Sequence, residues 1–296
     1  MTARVLAPAS RAASTYGWGS VPVLVPLGVG LVLLGLFIWV EASEPQPMLP
    51  LGVFRSREFT AANAVTFIVY GALGGLLFLV PVVLQVAHGY SPVEAGAALL
   101  PVTFIMLALS SYSGALSARI GPRLQMTVGP LVIAASLLLF TRLGSSGNYL
   151  TAVLPAVLVF GLGVAINVAP LTATAMSSAP AEHAGVASAV NNDVARAASL
   201  IAVAVLPALA GITGSSYLHP AALAHGFKTA AIMAAVFCAA GGVLAGLTIR
   251  NPSRAKTTGP SPSYCALEAT PLQVPLTPAP RTITWTRPSA SPTSDG

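Results

Sequence analysis

The sequence predicts an all-α membrane protein with seven transmembrane helices, and two observations support this class. First, 55% of the 296 residues are hydrophobic and only 7% are charged, which gives a mean hydropathy of +0.79. A soluble globular domain typically has about 25% charged residues, so no soluble fold of this length could bury so much apolar surface. Second, the apolar residues form seven runs: 21–40, 60–86, 95–117, 124–141, 150–176, 191–212 and 229–249.

Each run is long enough to cross a bilayer, because about 20 apolar residues span about 30 Å of hydrocarbon. Six of the runs contain no Asp, Glu, Lys, Arg or His, and the run 191–212 contains only Asp193 and Arg196. The first run is longer than the apolar core of a signal peptide, and no small-residue cleavage site follows it. We therefore expect it to remain as a helix. An odd number of spans places the two chain ends on opposite sides of the membrane.

The segments outside the runs predict the domain organisation. Residues 1–20 are expected to form an outer N-terminal segment. Residues 41–59 contain three prolines, which exclude a continuous helix, and are predicted to form a cytoplasmic loop. Residues 251–296 contain nine prolines and many Ser and Thr. Such a segment buries too little apolar surface to offset its ordering entropy, so we expect a disordered cytoplasmic tail.

The distribution of basic residues predicts the orientation. One set of connections carries the larger group: Arg55, Arg57, Arg119, Arg123, Arg250, Arg254 and Lys256. The opposite set carries Arg4, Arg11, Arg142 and Lys228. Since Lys and Arg concentrate in cytoplasmic loops, the C-terminus is predicted to be cytoplasmic and the N-terminus external. The basic residues form no patch or stripe, so they do not indicate a nucleic-acid partner.

The junction between the third and fourth runs is the most specific local motif. Residues 114–123 read Gly-Ala-Leu-Ser-Ala-Arg-Ile-Gly-Pro-Arg. Gly121 can adopt a positive φ, Pro122 stops the preceding helix, and Arg119 and Arg123 can face an anionic leaflet. Any short basic inner loop would share these properties.

The same segment resembles the G-x-L-x-D-R-x-G-R-R loop signature of the major facilitator superfamily. The matching positions are Gly114, Leu116, Arg119, Gly121 and Arg123. Ala118 replaces the Asp of the signature, and Pro122 replaces one Arg. The resemblance makes Gly114, Arg119, Gly121 and Arg123 candidates for a gating loop, while the missing Asp argues against such a role.

Other segments resemble the fourteen-helix drug–proton antiporters of that superfamily. They are residues 47–51 with 54–59, 89–92 with 95–101, 161–163 with 170–171, and 184–188 with 191–192. The resemblance covers residues 16–250. It implies that the run 21–40 is a linker helix and that residues 60–250 form the six-helix C-terminal bundle. A missing N-terminal transporter half is then an expected partner.

Polar residues inside the spans are the candidate site residues, because they are costly in a bilayer. Asn63, Thr66 and Tyr70 are spaced i, i+3 and i+7, which places them on one helix face. The candidates for a substrate cavity are Asn63, Thr66, Tyr70, Gln85, Asn167, Asn191 and Asn192. Alternatively, such residues form interhelical hydrogen bonds worth about 0.6 kcal/mol each. Asp193 and Arg196, spaced i, i+3, are predicted to form an interfacial ion pair or a proton relay.

The resemblance implies a secondary transporter that exports drugs or amphipathic small molecules in exchange for protons. Its expected partners are the lipid bilayer of the cell membrane, a small-molecule substrate and protons. An inactive or regulatory fragment is the main alternative, because the family's proton-carrying acids lie in N-terminal helices that are absent here. Asp193 is the only acid within the seven runs.

Two further classes fit the residues poorly. A seven-helix retinal protein needs a Lys at the middle of its last helix, but Lys228 lies just before that run, and no outer cysteine pair suits a receptor. A membrane enzyme would need a catalytic set, a metal motif or a phosphate loop, none of which is apparent. The histidines are dispersed: His88, His183, His219 and His225. We therefore expect no enzymatic activity, no cofactor and no metal.

Overall fold

A computed structural model describes residues 21–44, 51–144, 148–180 and 183–251. Seven helices within these residues are long and apolar enough to cross a membrane, which confirms the predicted fold class. We label the long helices α1 (Val21–Ser43), α2 (Arg57–His88), α3 (Leu100–Ile120), α4 (Pro122–Phe140), α5 (Leu154–Ser177), α6 (Ala184–Leu209) and α7 (Pro220–Thr248). The predicted N-terminal segment 1–20 and the tail from 252 onward lie outside the described residues.

Short helical segments connect the long helices. A six-residue α-helix, Pro92–Ala97, precedes α3, and a π-helical turn, Tyr149–Val153, precedes α5. The 3₁₀ segments are Leu51–Arg55, Thr141–Gly144 and Gly214–Leu218. We call the end of the bundle where α2 terminates the His88 end, and the opposite end the Asn251 end.

Helix α2 begins at Arg57, inside the segment predicted as a loop. The Ser56 side chain accepts a hydrogen bond from the Phe59 backbone N–H at 3.3 Å, which satisfies one of the free donors of the first turn. Thr60 Oγ1 also donates to the Phe54 carbonyl at 2.8 Å. The last proline upstream is Pro50, which does not prevent a helix from starting at Arg57, so the loop is shorter than the apolar pattern predicts.

The core of the bundle is formed by α2, α4, α5 and α7. Helix α2 packs against α6 and α7, and α4 packs against α5 and α7. Helix α3 has α5 as its main neighbour, whereas α6 has α2. In the 18-residue apolar window of each span, only 11% of the residues are buried for α3 and 22% for α6, compared with 44–56% for the four core helices. Helices α3 and α6 therefore present broad exposed faces.

Helix α1 is mostly exposed, although Glu41 near its end is buried. Only 6% of its most apolar window is buried. Its large apolar side chains, such as Trp39 at 66% exposure, remain accessible. The helix therefore gains little stability from packing within the described residues, which is compatible with the predicted linker role.

Glycines allow the core helices to approach closely. A Cβ added to Gly129 on α4 would lie 2.7 Å from the Asn167 Cβ on α5, and one added to Gly242 on α7 would lie 2.8 Å from the Thr127 carbonyl oxygen on α4. Helices in a bilayer have no hydrophobic driving force toward each other, so close van der Waals packing at small residues is a main source of their association.

Candidate functional site

The α2–α6 interface contains a buried polar cluster. Asn191 Nδ2 on α6 donates to Thr66 Oγ1 at 2.7 Å and to Asn63 Oδ1 at 3.2 Å, both on α2. Asn63 and Asn191 are each 6% exposed, and Thr66 is fully buried. The two α2 side chains also donate to their own helix, to the Phe59 and Ala62 carbonyls. The structure thus brings three of the sequence-predicted residues together as an interhelical hydrogen-bond network.

Tyr70 lies at the next contact between these helices. Ser199 Oγ on α6 donates to the Tyr70 backbone carbonyl at 3.0 Å. The Tyr70 side chain is half-buried. Asn63 and Thr66 thus bond α6 through their side chains, whereas Tyr70 bonds it through its backbone carbonyl.

Asn192, Asp193 and Arg196 lie on a different side of α6. All three side chains are exposed. Within the residues that the structure describes, Asp193 and Arg196 form neither an ion pair nor a hydrogen bond. Asp193 is nine residues into α6, about 14 Å from its first residue. Charged groups at this depth are costly in hydrocarbon, so this face suits contact with water or with another protein surface.

Asn167 is buried in the α4–α5 interface at 1% exposure. Its Cβ and backbone occupy the space left by the absent side chain of Gly129. Its Oδ1 accepts no hydrogen bond from any described residue. Gln85 lies elsewhere, near the His88 end, where its Nε2 donates to the Pro81 carbonyl at 3.1 Å. Neither residue joins the Asn63–Thr66–Asn191 network.

Sequence reasoning missed a second buried polar cluster. Gln125 on α4 donates to the backbone and side-chain oxygens of Ser113 on α3, at 3.1 and 3.2 Å. Ser113 Oγ in turn donates to the Ile166 carbonyl of α5 at 3.1 Å. These bonds connect three helices. The signal was available, because Gln125 is the only side-chain amide in the run 124–141.

The candidate gating loop is held to the end of α7. Arg123 Nε donates to the Gly246 carbonyl at 2.9 Å, and the Arg123 backbone N–H donates to Asn251 Oδ1 at 3.2 Å. Asn251 Nδ2 donates to the Ile120 carbonyl at 3.4 Å. Gly121 has φ of +87°, which allows the chain to turn directly from α3 into α4.

The two remaining loop candidates are Gly114 and Arg119. Gly114 has nothing within 4 Å of an added Cβ, and the Arg119 side chain is exposed. Arg123 thus bonds α7 directly at Gly246, and Asn251, which the loop signature does not include, bonds the backbone on either side of Gly121.

We expect Asn167→Leu to leave the thermal stability of the purified protein unchanged or to raise it. The substitution removes a buried acceptor without a partner, whose burial costs about 1–3 kcal/mol. The matched variant is Asn191→Leu, which breaks two interhelical bonds and should lower stability by about 1 kcal/mol. Melting of both variants in detergent micelles provides the measurement. A larger loss for Asn167→Leu than for Asn191→Leu would contradict this account.

Comparison with known proteins identifies relatives of this chain. The chain is 34% identical over 206 residues to the multidrug resistance protein Stp of Mycobacterium tuberculosis, which covers 69% of the chain and 38% of that protein. It is 34% identical over 198 residues to a tetracenomycin C resistance and export protein of Streptomyces glaucescens, covering 67% and 36%. It is 33% identical over 221 residues to the puromycin resistance protein pur8 of Streptomyces alboniger, covering 73% and 42%.

The chain thus spans less than half the length of these curated relatives. Residues 5–204, more than half of the chain, match the Major Facilitator Superfamily. Together with the seven membrane-length helices and the six-helix bundle, this match shows that the chain is a multi-pass membrane protein that belongs to the Major Facilitator Superfamily.

Proposed function

We propose that this chain is the C-terminal portion of a proton-coupled exporter of drugs or other amphipathic small molecules in the cell membrane. The relatives are named for multidrug and antibiotic resistance, and their greater length leaves room for a second bundle. The observation that carries the proposal is the exposed polar face of α6, formed by Asn192, Asp193 and Arg196. Lipid would solvate this face poorly, whereas an aqueous cavity between two bundles would accommodate it.

The rest of the bundle provides a rigid support for that face. The Asn63–Thr66–Asn191 network and the contacts at Gly74 and Gly75 fix α6 on α2. Helices α2 and α6 would then move together as the two halves rock around the cavity. In this arrangement the buried amides position α6, and the exposed residues on its other side contact substrate, water or the second bundle.

The orientation is part of the proposal. Arg55, Arg57, Arg119, Arg123 and Arg250 lie at the Asn251 end of the bundle. The positive-inside rule places this end, and with it the C-terminus, in the cytoplasm. The His88 end would then face outward.

The proposal predicts that the chain alone does not export, but that it exports when co-expressed with the N-terminal half of a relative such as Stp. Ethidium efflux from energised cells, with and without a protonophore, provides the measurement. In the co-expressed pair we expect Asp193→Asn to reduce proton-coupled efflux roughly tenfold, because an acid inside the membrane is a default functional residue. The matched control is Glu44→Gln, which removes an exposed carboxylate beyond the end of α1.

Three outcomes separate the candidates. Protonophore-sensitive efflux by the chain alone would contradict its role as a partial transporter. Efflux by the pair that survives Asp193→Asn unchanged would remove this carboxylate from the coupling mechanism. No efflux by a pair that expresses and assembles in the membrane would favour an inactive or regulatory chain.

A further inference from the structure

An open pocket lies at the His88 end of the bundle, and none of the residues that form the polar face of α6 lines it. It has a volume of about 470 Å³ and is lined by Tyr90, Glu94, Ala97, Ala98 and Tyr149. This volume falls within the range of about 300–1,000 Å³ that is typical of small-molecule sites. Two aromatic rings and a carboxylate thus surround one space, and Glu94 is the only charged residue in the lining.

Local hydrogen bonds hold the carboxylate in place. The Ser91 backbone N–H donates to Glu94 Oε2 at 2.8 Å, and the Glu94 backbone N–H donates to Ser91 Oγ at 3.3 Å. This reciprocal capping box fixes the Glu94 side chain beside the pocket. The Glu94 side chain is exposed, so its carboxylate remains accessible to a ligand.

The two tyrosines are also fixed. Both rings are half-buried and pack against the main apolar core of the bundle. Tyr149 Oη donates to the Ala98 carbonyl at 3.3 Å, which ties the start of the α5 segment to the residues before α3. Nearby, the His88 ring bonds the Leu143 carbonyl at 2.6 Å, which links the end of α2 to the 3₁₀ segment that follows α4. The pocket walls are therefore preorganised by contacts between separate helices.

We propose that this pocket binds an organic cation, with Glu94 neutralising its charge and the Tyr90 and Tyr149 rings contacting its apolar groups. Aromatic rings attract quaternary ammonium groups through their negative faces, and a fixed carboxylate adds a direct charge interaction. Phosphates and carboxylate-bearing ligands would be repelled by Glu94. A soluble organic ammonium ion and the amine headgroup of a lipid share this chemistry. The inference does not rest on transport, because binding to this site is an equilibrium property of the chain.

Isothermal titration of the purified 296-residue chain in uncharged detergent micelles tests the proposal, with benzyltrimethylammonium as the probe. We expect saturable binding that Glu94→Gln weakens roughly fivefold, in keeping with the modest strength of an exposed charge interaction. The control Glu44→Gln removes an exposed carboxylate outside the pocket and should bind as the unmodified chain does. Benzyl alcohol, which keeps the aromatic group and lacks the charge, should not compete.

Variants of the two lining tyrosines, Tyr90 and Tyr149, provide a second test that does not depend on charge. Tyr149→Phe keeps the ring, so we expect binding to be retained. Tyr90→Leu should weaken binding roughly fivefold, because it removes an aromatic face. Tyr217→Leu changes a half-buried tyrosine at the same end that does not line the pocket, so it controls for loss of packing. Melting curves for each variant establish that the chain remains folded.

The source of the cation is decided by adding lipid to the same titration. Competition by phosphatidylethanolamine but not by phosphatidylglycerol would assign the natural ligand to a lipid amine. Binding unaffected by either lipid would assign it to a soluble cation. Equal affinities for the unmodified chain and Glu94→Gln, or equal competition by benzyl alcohol, would overturn the proposal. Drug efflux by the co-expressed pair would be untouched by that result, so the two proposals can fail separately.

Discussion

Gly74→Ala is expected to destabilise the bundle strongly, because α2 and α6 are in backbone contact at this position. A Cβ on Gly74 would lie 2.6 Å from the Ser199 Cβ and 2.7 Å from the Ser199 Cα. No rotamer change can relieve a contact with main-chain and Cβ atoms, so the helices must separate. Overpacking of this kind costs about 1–3 kcal/mol. The neighbouring Ser199–Tyr70 hydrogen bond and the Asn191 network would be stretched by the same movement.

The matched control is Gly71→Ala, one turn earlier on the same helix. Its added Cβ would lie 3.7 Å from the Ala198 carbonyl oxygen, an ordinary van der Waals distance. Alanine also favours a helix over glycine by about 1 kcal/mol, so we expect Gly71→Ala to be neutral or stabilising. Thermal melting in detergent micelles measures both variants. Equal melting temperatures for the two variants would show that α2 and α6 are not packed as closely as described.

Gly121→Ala is expected to have the second large effect, at the turn between α3 and α4. Gly121 has φ of +87° and ψ of 158°, a conformation that is essentially restricted to glycine and costs other residues about 1–3 kcal/mol. An added Cβ would also collide with the Asn251 side chain. The substitution should therefore lower the melting temperature and loosen the contact between the α3–α4 turn and the end of α7.

Two further variants distinguish the backbone strain at a positive φ from the collision of the added Cβ with Asn251. Gly89→Ala places a Cβ at another positive φ, +71°, where nothing lies within 4 Å, so it should cost only the backbone term of about 1–2 kcal/mol. Gly121→Ala combined with Asn251→Ala removes the collision and should recover part of the loss. A Gly121→Ala protein that melts like the unmodified chain would contradict the described turn. A change in efflux by the co-expressed pair without a change in stability would instead support a gating role.

The candidate site shows what the spacing of polar side chains can predict about a helix. The i, i+3, i+7 spacing of Asn63, Thr66 and Tyr70 predicted one shared face, because helical periodicity is a local property. The pattern left open whether that face meets a cavity or another helix. The bonds from Asn191 place Asn63 and Thr66 against α6. Asn191 is 125 residues from Thr66 and 128 residues from Asn63 in the chain, so neither helix sequence by itself predicts these hydrogen bonds.

The candidate gating loop at Gly121 and Arg123 shows the same limit of sequence patterns. The turn at Gly121 and its arginines were predictable, since glycine, proline and positive charge act locally. Its attachment to α7 was not, because Asn251 lies beyond the last apolar run and belongs to no motif in the sequence. The six-helix bundle and the family of the chain were predicted from the runs and loop signatures, and the comparison with known proteins confirmed the family.

The sequence alone determined the number of spanning helices and the membrane class, because the cost of placing charge in hydrocarbon acts on each segment independently of its neighbours. Tertiary structure alone decided which faces are buried. All six bundle helices are apolar around most of their circumference, so hydropathy gives no direction to their packing. Which helices become neighbours is decided by close packing at small residues such as Gly74 and Gly129 and by a few interhelical hydrogen bonds. That selection leaves the polar side of α6 and the pocket at Glu94 exposed.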